Sequence, residues 1–343
     1  MSGIRVKART TFHSKPLPMP PLDNLHLITS DGFPDYALLD SGAGRKLERF
    51  GKIIVDRPEP QALWNRKLGK AEWAKANAVF SASGEDDEKG KWRIDKPVPD
   101  AWPVKLALGH ASRSSPPPRG EGLGVGSHTP SSSKNVTMLC KLAGLWHLGL
   151  FPEQEPHWQW MLEHLASVKG EPPRVLNLFG YTGAASLLAA AAGAEVTHVD
   201  ASKKAIQWGR ENQEASKLGA AKIRWLLDDA AKFAARDVRR GKTYHMILVD
   251  PPKFGRGPEG EIWDLFQNLP ALLADLAKLL APENAAMVLT IYAIRASSLA
   301  FDQLLRQELK GRGGAFDSGE LAIRSQTGPL VPTSLFVRWK QTA

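Results

Sequence analysis

From Arg174 onward, short apolar runs bounded by turn signals alternate with stretches of helical period, and this alternation constrains the fold more than any other feature of the chain. RVLNLF, EVTHVD, IRWLLDD, HMILVDPP and AAMVLTIYA read as five strands. Helical patterns begin near Thr182, Ser202, Ala230 and Ile262, and one more runs from Ser297 to Leu309. Parallel strands need crossover helices, so the pattern predicts a doubly wound α/β domain with a parallel sheet. GELAIRS and SLFVRW flank Gly328-Pro329 and predict a hairpin at the end of the domain.

At 343 residues the chain is long enough for about two domains of ~150 residues each. Residues 111–134 contain 7 Ser, 4 Pro and 4 Gly, too little apolar surface to offset ordering entropy. We therefore expect a β-rich N-terminal domain over 1–110, a flexible linker or insertion over 111–137 and the α/β domain over 138–343. The β-rich expectation rests on alternating runs at Tyr36 to Leu39 and Gly51 to Val55, set off by Gly and Pro. Seven of the eleven Trp precede residue 161, and scattered tryptophans in a small β domain most often fill its core.

Charge gives the first hint of a partner. The net charge is +9, of which residues 1–137 carry +6, favouring a polyanion such as nucleic acid. A single cysteine, Cys140, excludes an internal disulfide, and its apolar neighbours Met138, Leu139 and Leu142 suit a small hydrophobe better than a nucleophile. The longest apolar stretch, Leu187 to Val196, is interrupted by Gly193 and Glu195, so no membrane span is expected. The N-terminal residues lack an apolar signal region, which points to the cytoplasm. No His or Cys spacing suits a metal; His157 and His164, seven apart, lack a third ligand nearby in sequence.

The strongest chemical motif is VLNLFGYTG, Val175 to Gly183, a buried strand running through a glycine turn into a helix. Gly180 and Gly183 allow close backbone approach, and the helix-start N–H groups face a ligand's polar end. The middle glycine of the dinucleotide pattern is missing, which argues against a pyrophosphate. Asp200 ends the next strand, placed to accept from both ribose hydroxyls, and Asp228-Asp229-Ala230 ends the third, where a carboxylate can accept from an adenine amino group. Ribose and adenine without phosphate imply S-adenosylmethionine. At the fourth strand end stands Asp250-Pro251-Pro252-Lys253-Phe254; the prolines remove two N–H donors and leave neighbouring carbonyls available to a substrate amino group. Phe254 is placed to stack on a base and Lys253 to meet a phosphate.

NLFGYTG, HVDASKKAI, LDDA and VDPPKFG, with GLFPEQ at Gly149 to Gln154, together resemble the S-adenosylmethionine-dependent methyltransferase family that includes bacterial 23S rRNA large-subunit cytosine-C5 methyltransferases. The resemblance covers residues 138 to 343 and implies a Rossmann-like, seven-stranded class I methyltransferase sheet closed by the hairpin, behind a small β-rich accessory domain. It implies cofactor contacts from Gln154, Asn177, Phe179, Gly180, Tyr181, Thr182, Gly183, Asp200, Ala201, Asp229 and Ala230. It also implies a catalytic, substrate-facing role for Asp250, Pro251, Pro252 and Phe254.

One departure from the cytosine enzymes matters. Methylating cytosine C5 requires a thiolate to add at C6, and the expected cysteine position falls at about Ala293. Methylation of a base nitrogen needs positioning, water exclusion and a group to orient or deprotonate the nitrogen. Asp250 is the candidate for that group, with Lys253, Tyr292 and Arg295 on the substrate side. We expect RNA, rRNA foremost, as the substrate. A protein or small-molecule substrate and a non-catalytic RNA-binding relative are the alternatives.

Overall fold

The computed structural model describes residues 26–83, 86–106, 136–143, 146–292 and 294–342. Ala293 and the Ser/Pro/Gly-rich stretch 111–134 lie outside the described residues. Strand β1 (His26–Ser30) is followed by β2 (Tyr36–Gly42), β3 (Arg45–Phe50) and β4 (Ile53–Pro58), a short helix α1 (Lys70–Trp73), then β5 (Ala78–Ser83) and β6 (Asp86–Ile94). Strands β2 to β6 form one five-stranded sheet in sequence order, all antiparallel pairs except β4 with β5. The expected β-rich region is therefore present. Strands β7 (Trp102–Leu106) and β8 (Val136–Cys140) pair with each other, and β8 also docks on the α/β part, where Leu139 N–H donates to Asn212 at 2.8 Å.

The α/β part runs α2 (Glu155–Ser167), β9 (Arg174–Leu178), α3 (Ala184–Ala191), β10 (Glu195–Asp200), α4 (Lys203–Ala215), β11 (Ile223–Leu227), α5 (Ala230–Arg239) and β12 (Met246–Val249). A small hairpin of β13 (Phe254–Arg256) and β14 (Ile262–Asp264) precedes α6 (Leu265–Leu279), β15 (Ala286–Tyr292), α7 (Ser298–Glu308), β16 (Ala315–Arg324) and β17 (Leu330–Lys340). The pattern at Ile262 was expected to start a helix. It forms a strand instead, and α6 starts three residues later because Asp264 caps it, accepting from Gln267 N–H at 3.1 Å.

Sheet order is β1-β16-β17-β15-β12-β9-β10-β11. The five expected strands are mutually parallel, and β17 runs antiparallel between β15 and β16. The expected seven strands gain an eighth, β1, which pairs in parallel with β16. Gly319 makes that pairing possible, since a Cβ there would lie 1.8 Å from the His26 carbonyl oxygen. Chain order reverses between β9 and β12, which opens a crevice at their carboxyl ends, the place where open α/β sheets bind ligands.

The sheet separates two cores. Leu176, Leu178, Ile247 and Leu289 face α5, α6 and α7. Val175, Val196, Met246 and Val288 face the other way, in a cluster that continues through α2 and α3 into Phe50, Val55, Trp102 and Val104. Fully buried leucines of this kind each contribute about 1.5–3 kcal/mol of transfer free energy. Of the early tryptophans, Trp73, Trp102, Trp146 and Trp158 are buried, the core role expected of them. Cys140 also is wholly buried, and burial pushes its thiol well above the ordinary range. No helix among the described residues is long and apolar enough to cross a membrane.

Candidate cofactor and substrate site

At the crevice lies a cavity of about 910 Å³, within the roughly 300–1,000 Å³ of small-molecule sites. Its first wall is the loop after β9. Phe179 and Tyr181 adopt left-handed backbone angles of φ 55° and 51°, a strained arrangement that turns the chain tightly between strand and helix. Gly183, at φ 88°, caps α3, and a Cβ there would lie 2.5 Å from the Trp225 ring. Beneath the loop, Asn177 donates to Ser186 at 2.9 Å and the Ser186 hydroxyl bonds His198 Nδ1 at 2.9 Å. Burial pushes His198 down to about 3, so it is neutral there. Thr182 donates its hydroxyl to the Gly149 carbonyl at 2.5 Å, tying the loop to the segment before α2.

Asp200 ends β10 as the second wall. Its carboxylate accepts the Tyr181 N–H at 2.8 Å and the Ser202 N–H at 2.7 Å; burial raises its pKa against the pull of those two bonds. Asp229 caps α5, accepting the Lys232 N–H at 2.8 Å, and also lines the cavity beside Ala201 and Ala230. Its neighbour Asp228 pairs with Arg236.

The third wall holds Asp250. Gln154 donates to it at 3.3 Å, and burial, with the nearby Glu153 carboxylate adding, pushes its pKa up to about 7. Glu153 is itself buried and its pKa raised. Around them stand His147, Phe151 and Tyr292, with ring centroids 5.0 Å apart for His147 and Phe151 and 6.4 Å for Phe151 and Tyr292. Burial holds His147 down at about 3, with the charges of Arg57 and Lys46 adding, and pushes Tyr292 up to about 12. Those two cations belong to β3 and β4, so the five-stranded sheet backs this end of the cavity. There Arg57 pairs with Glu48 at 2.6 Å, Lys46 with Glu59 at 3.0 Å, and Arg57 donates to the Trp146 carbonyl at 3.1 Å.

The structure thus brings Gln154, Asn177, Phe179, Gly180, Tyr181, Thr182, Asp200, Ala201, Asp229, Ala230, Asp250, Pro251, Pro252, Lys253, Phe254 and Tyr292 onto one cavity. Gly183 lies behind its lining as the cap of α3, and Arg295 is exposed and off the lining. One expectation about the prolines is corrected. The Pro252 carbonyl is not free: Trp263 Nε1 donates to it at 2.7 Å because the β13–β14 hairpin folds back over the motif. The Asp250 and Pro251 carbonyls accept no hydrogen bond among the described residues. Sequence reasoning missed Glu153, His147 and Trp263 as lining residues. His157 and His164, the spaced pair, have structural partners, Arg338 at 2.9 Å for the first and the His245 and Asn284 carbonyls for the second. Among the described residues no group of three or more His, Cys, Asp or Glu is placed to hold a metal ion.

The charge of the lining decides what kind of cofactor fits. Glu153, Asp200, Asp228, Asp229 and Asp250 line the cavity, while the lysine and arginine on the lining, Lys253 and Arg256, are exposed. That set repels a pyrophosphate and suits an adenosyl group carrying a cationic sulfonium. Asp200 would hold the ribose and Asp229 the adenine. The strand order, switch-point cavity and acidic lining are those of an α/β protein suited to bind a cationic small molecule.

The chain matches the family model of S-adenosylmethionine-dependent methyltransferases over residues 142–310. It is 42% identical to an S-adenosylmethionine-dependent methyltransferase from Agrobacterium tumefaciens, with a TM-score of 0.81 over 94% of this chain and 98% of that one. A Streptococcus mutans structure described as a methyltransferase of the same cofactor, 16% identical, shares the fold at a TM-score of 0.61 over 89% of this chain and 75% of its own. Over 145 residues the chain is 35% identical to ribosomal RNA large subunit methyltransferase K/L of Shewanella frigidimarina, a match covering 42% of this chain and 19% of the relative. The chain belongs to the S-adenosylmethionine-dependent methyltransferases, and S-adenosylmethionine is its cofactor.

Proposed function

We propose that this enzyme methylates a nitrogen of a base in RNA, with ribosomal RNA as the favoured pool, and that it works in the cytoplasm. The observation that carries the reading is Asp250: a half-buried carboxyl whose pKa burial raises to about 7, met by one amide at 3.3 Å, just past β12 and across β9 from the strand ends that carry Asp200 and Asp229. When bound, S-adenosylmethionine supplies a methyl group on a sulfonium that leaves as a neutral thioether. Asp250 accepts the N–H proton of the target nitrogen as its lone pair forms the new N–C bond. Pro251 and Phe254 hold the base, the free Asp250 and Pro251 carbonyls orient an amino group, and Lys253 meets the adjoining phosphate. Tyr292 closes the far side. Nitrogen is favoured over cytosine C5 because the chain's one cysteine is buried in β8, off the cavity lining. The name of the K/L relatives supports ribosomal RNA, as does the charge of +6 on residues 1–137. In this reading residues 1–110 form an accessory domain that adds RNA contacts, 111–137 a linker or insertion, and 138–343 the catalytic domain.

The test is transfer of labelled methyl to total RNA, DNA and protein from cells lacking the gene, followed by nucleoside analysis. Label in RNA at a base nitrogen is expected. Label at cytosine C5 would overturn the mechanism, and label in protein alone would overturn the substrate class.

A further inference from the structure

The β13–β14 hairpin at the cavity mouth has two faces of opposite character. Antiparallel pairing sets Phe254 opposite Asp264, Gly255 opposite Trp263 and Arg256 opposite Ile262, so Gly255 and Trp263 share one face and the other four residues share the second. The first face is fixed inward. Trp263 is buried, its indole donates to the Pro252 carbonyl at 2.7 Å and its ring lies 4.9 Å from Phe179. Leu265 N–H closes the base of the hairpin onto the Lys253 carbonyl at 3.0 Å, and Lys232 of α5 clamps the tip through Glu259 and Glu261.

The second face is left open. Phe254 is 61% exposed and Ile262 75% exposed, and Phe266, in the first turn of α6, is 56% exposed. Apolar groups gathered at one place on a surface mark a binding face more often than chance. Arg256 and Lys253 are exposed beside them, and neither has an acidic partner among the described residues. Asp264, the one acid on this face, is engaged as the cap of α6. Exposed apolar side chains interleaved with cations that lack an acidic partner, with Lys253 Nζ 5.1 Å from the Phe254 ring centroid, are the chemistry that holds unpaired nucleotides, through stacking and phosphate contact.

We propose that this face is a platform for the nucleotide next to the target base in single-stranded RNA, with that neighbour's base on Ile262, beside the target base held by Phe254, and its phosphate on Arg256. The inference rests on the RNA reading above and adds to it a strand requirement: the neighbour must be unpaired to lie flat. Because the inward face is pinned, the platform is already formed before RNA arrives.

The test uses the full chain loaded with S-adenosylmethionine and a labelled single-stranded oligoadenylate, followed by fluorescence anisotropy over a range of salt. Tighter binding of the single strand than of its duplex with oligouridylate is expected. Ile262→Ser should weaken single-strand binding about 5-fold or more without changing the salt slope, and Arg256→Gln should lower that slope by about one. Cofactor affinity measured alongside should not move in Ile262→Ser, which lies off the cavity lining. Unchanged oligoadenylate binding by Ile262→Ser, or equal affinity for the duplex, overturns the platform. Labelled-methyl transfer to RNA separates the two ideas. Transfer with an unaltered KM in Ile262→Ser sinks the platform alone, and platform binding without any transfer to RNA sinks the methylation reading alone.

Discussion

The two ends of the cavity treat their carboxylates in opposite ways. At the cofactor end, Asp200 receives two backbone N–H groups and Asp229 one, so each acid is held by the turn it helps to form. At the substrate end, Asp250 has one long contact with Gln154, and the Glu153 carboxylate is met by its own backbone N–H and by the charges of Lys46 and Arg57. The first arrangement fixes geometry. The second leaves Asp250 with little to offset its desolvation and holds it near the pKa at which it can exchange a proton at neutral pH. The cofactor end is thus built from local backbone, whereas the substrate end is built from burial.

Asp250→Asn should break this contrast most severely. If Asp250 takes the proton, kcat falls about 100- to 10,000-fold while cofactor affinity holds. Wild-type kcat should rise with pH through about 7 as the carboxyl ionises, and the variant should lose that limb. Stability should move the other way. The folded carboxyl has its pKa raised from 3.8 to about 7, so between those values the folded state binds more protons than the unfolded state, and stability falls as pH rises. The variant escapes that loss, and its Tm should exceed the wild type's at pH 8 and match it below pH 4. A lower Tm at pH 8 would refute the account of Asp250 as an acid whose ionised form burial disfavours.

The second break lies behind the substrate end. Glu48 is buried, pairs with Arg57 at 2.6 Å and accepts the Tyr36 hydroxyl at 2.9 Å. Removing one member of a buried pair costs about 3–5 kcal/mol, because the other charge stays buried. Glu48→Ala should therefore lower Tm steeply in thermal melts, and in the surviving folded fraction KM for substrate should rise more than the Kd for cofactor, since Arg57 also holds the Trp146 carbonyl beside His147. Equal damage to both constants would show that the five-stranded sheet supports the whole cavity and not one end.

This division also explains what the sequence made legible. Asp200, Asp229 and the NLFGYTG loop could be read because each sits at a strand end whose period and turn residues are local signals. The five strands and the closing hairpin were readable for the same reason. Glu153 and His147 were not, because their role depends on burial by β3 and β4, about a hundred residues earlier in the chain. Strand β1 escaped notice likewise; nothing near His26 signals that it will pair with Gly319. Ile262-Trp263 looked like the first turn of a helix because the apolar run continues into Leu265, yet Asp264 interrupts it as a cap. Arg295 was placed by its distance past a strand end, and chain distance does not say which way the loop turns.

A smaller effect is expected from Asp200→Ala. The ribose would lose its acceptor and the Tyr181 and Ser202 N–H groups would lose theirs, a cost of about 1–3 kcal/mol or roughly 5- to 150-fold in cofactor Kd by calorimetry. If the cofactor end is as local as the contrast holds, the loss should appear in Kd with little change in the kcat of saturated enzyme.

The smallest effect, at Asp229, separates its role as the cap of α5 from the adenine contact proposed for it. As a helix cap this residue can be replaced by Ser with little loss of stability, whereas Ala should cost about 1 kcal/mol and lower Tm. As an adenine acceptor it cannot be replaced by Ser, whose hydroxyl sits one bond closer to the backbone. Asp229→Ser should therefore keep the wild-type Tm and weaken cofactor binding by about 5-fold, the loss of one net hydrogen bond, while Asp229→Ala weakens both. If Asp229→Ser binds the cofactor as wild type does, Asp229 is a cap alone, and Asp228 becomes the acid to test next, freed for that role only if its pairing with Arg236 yields.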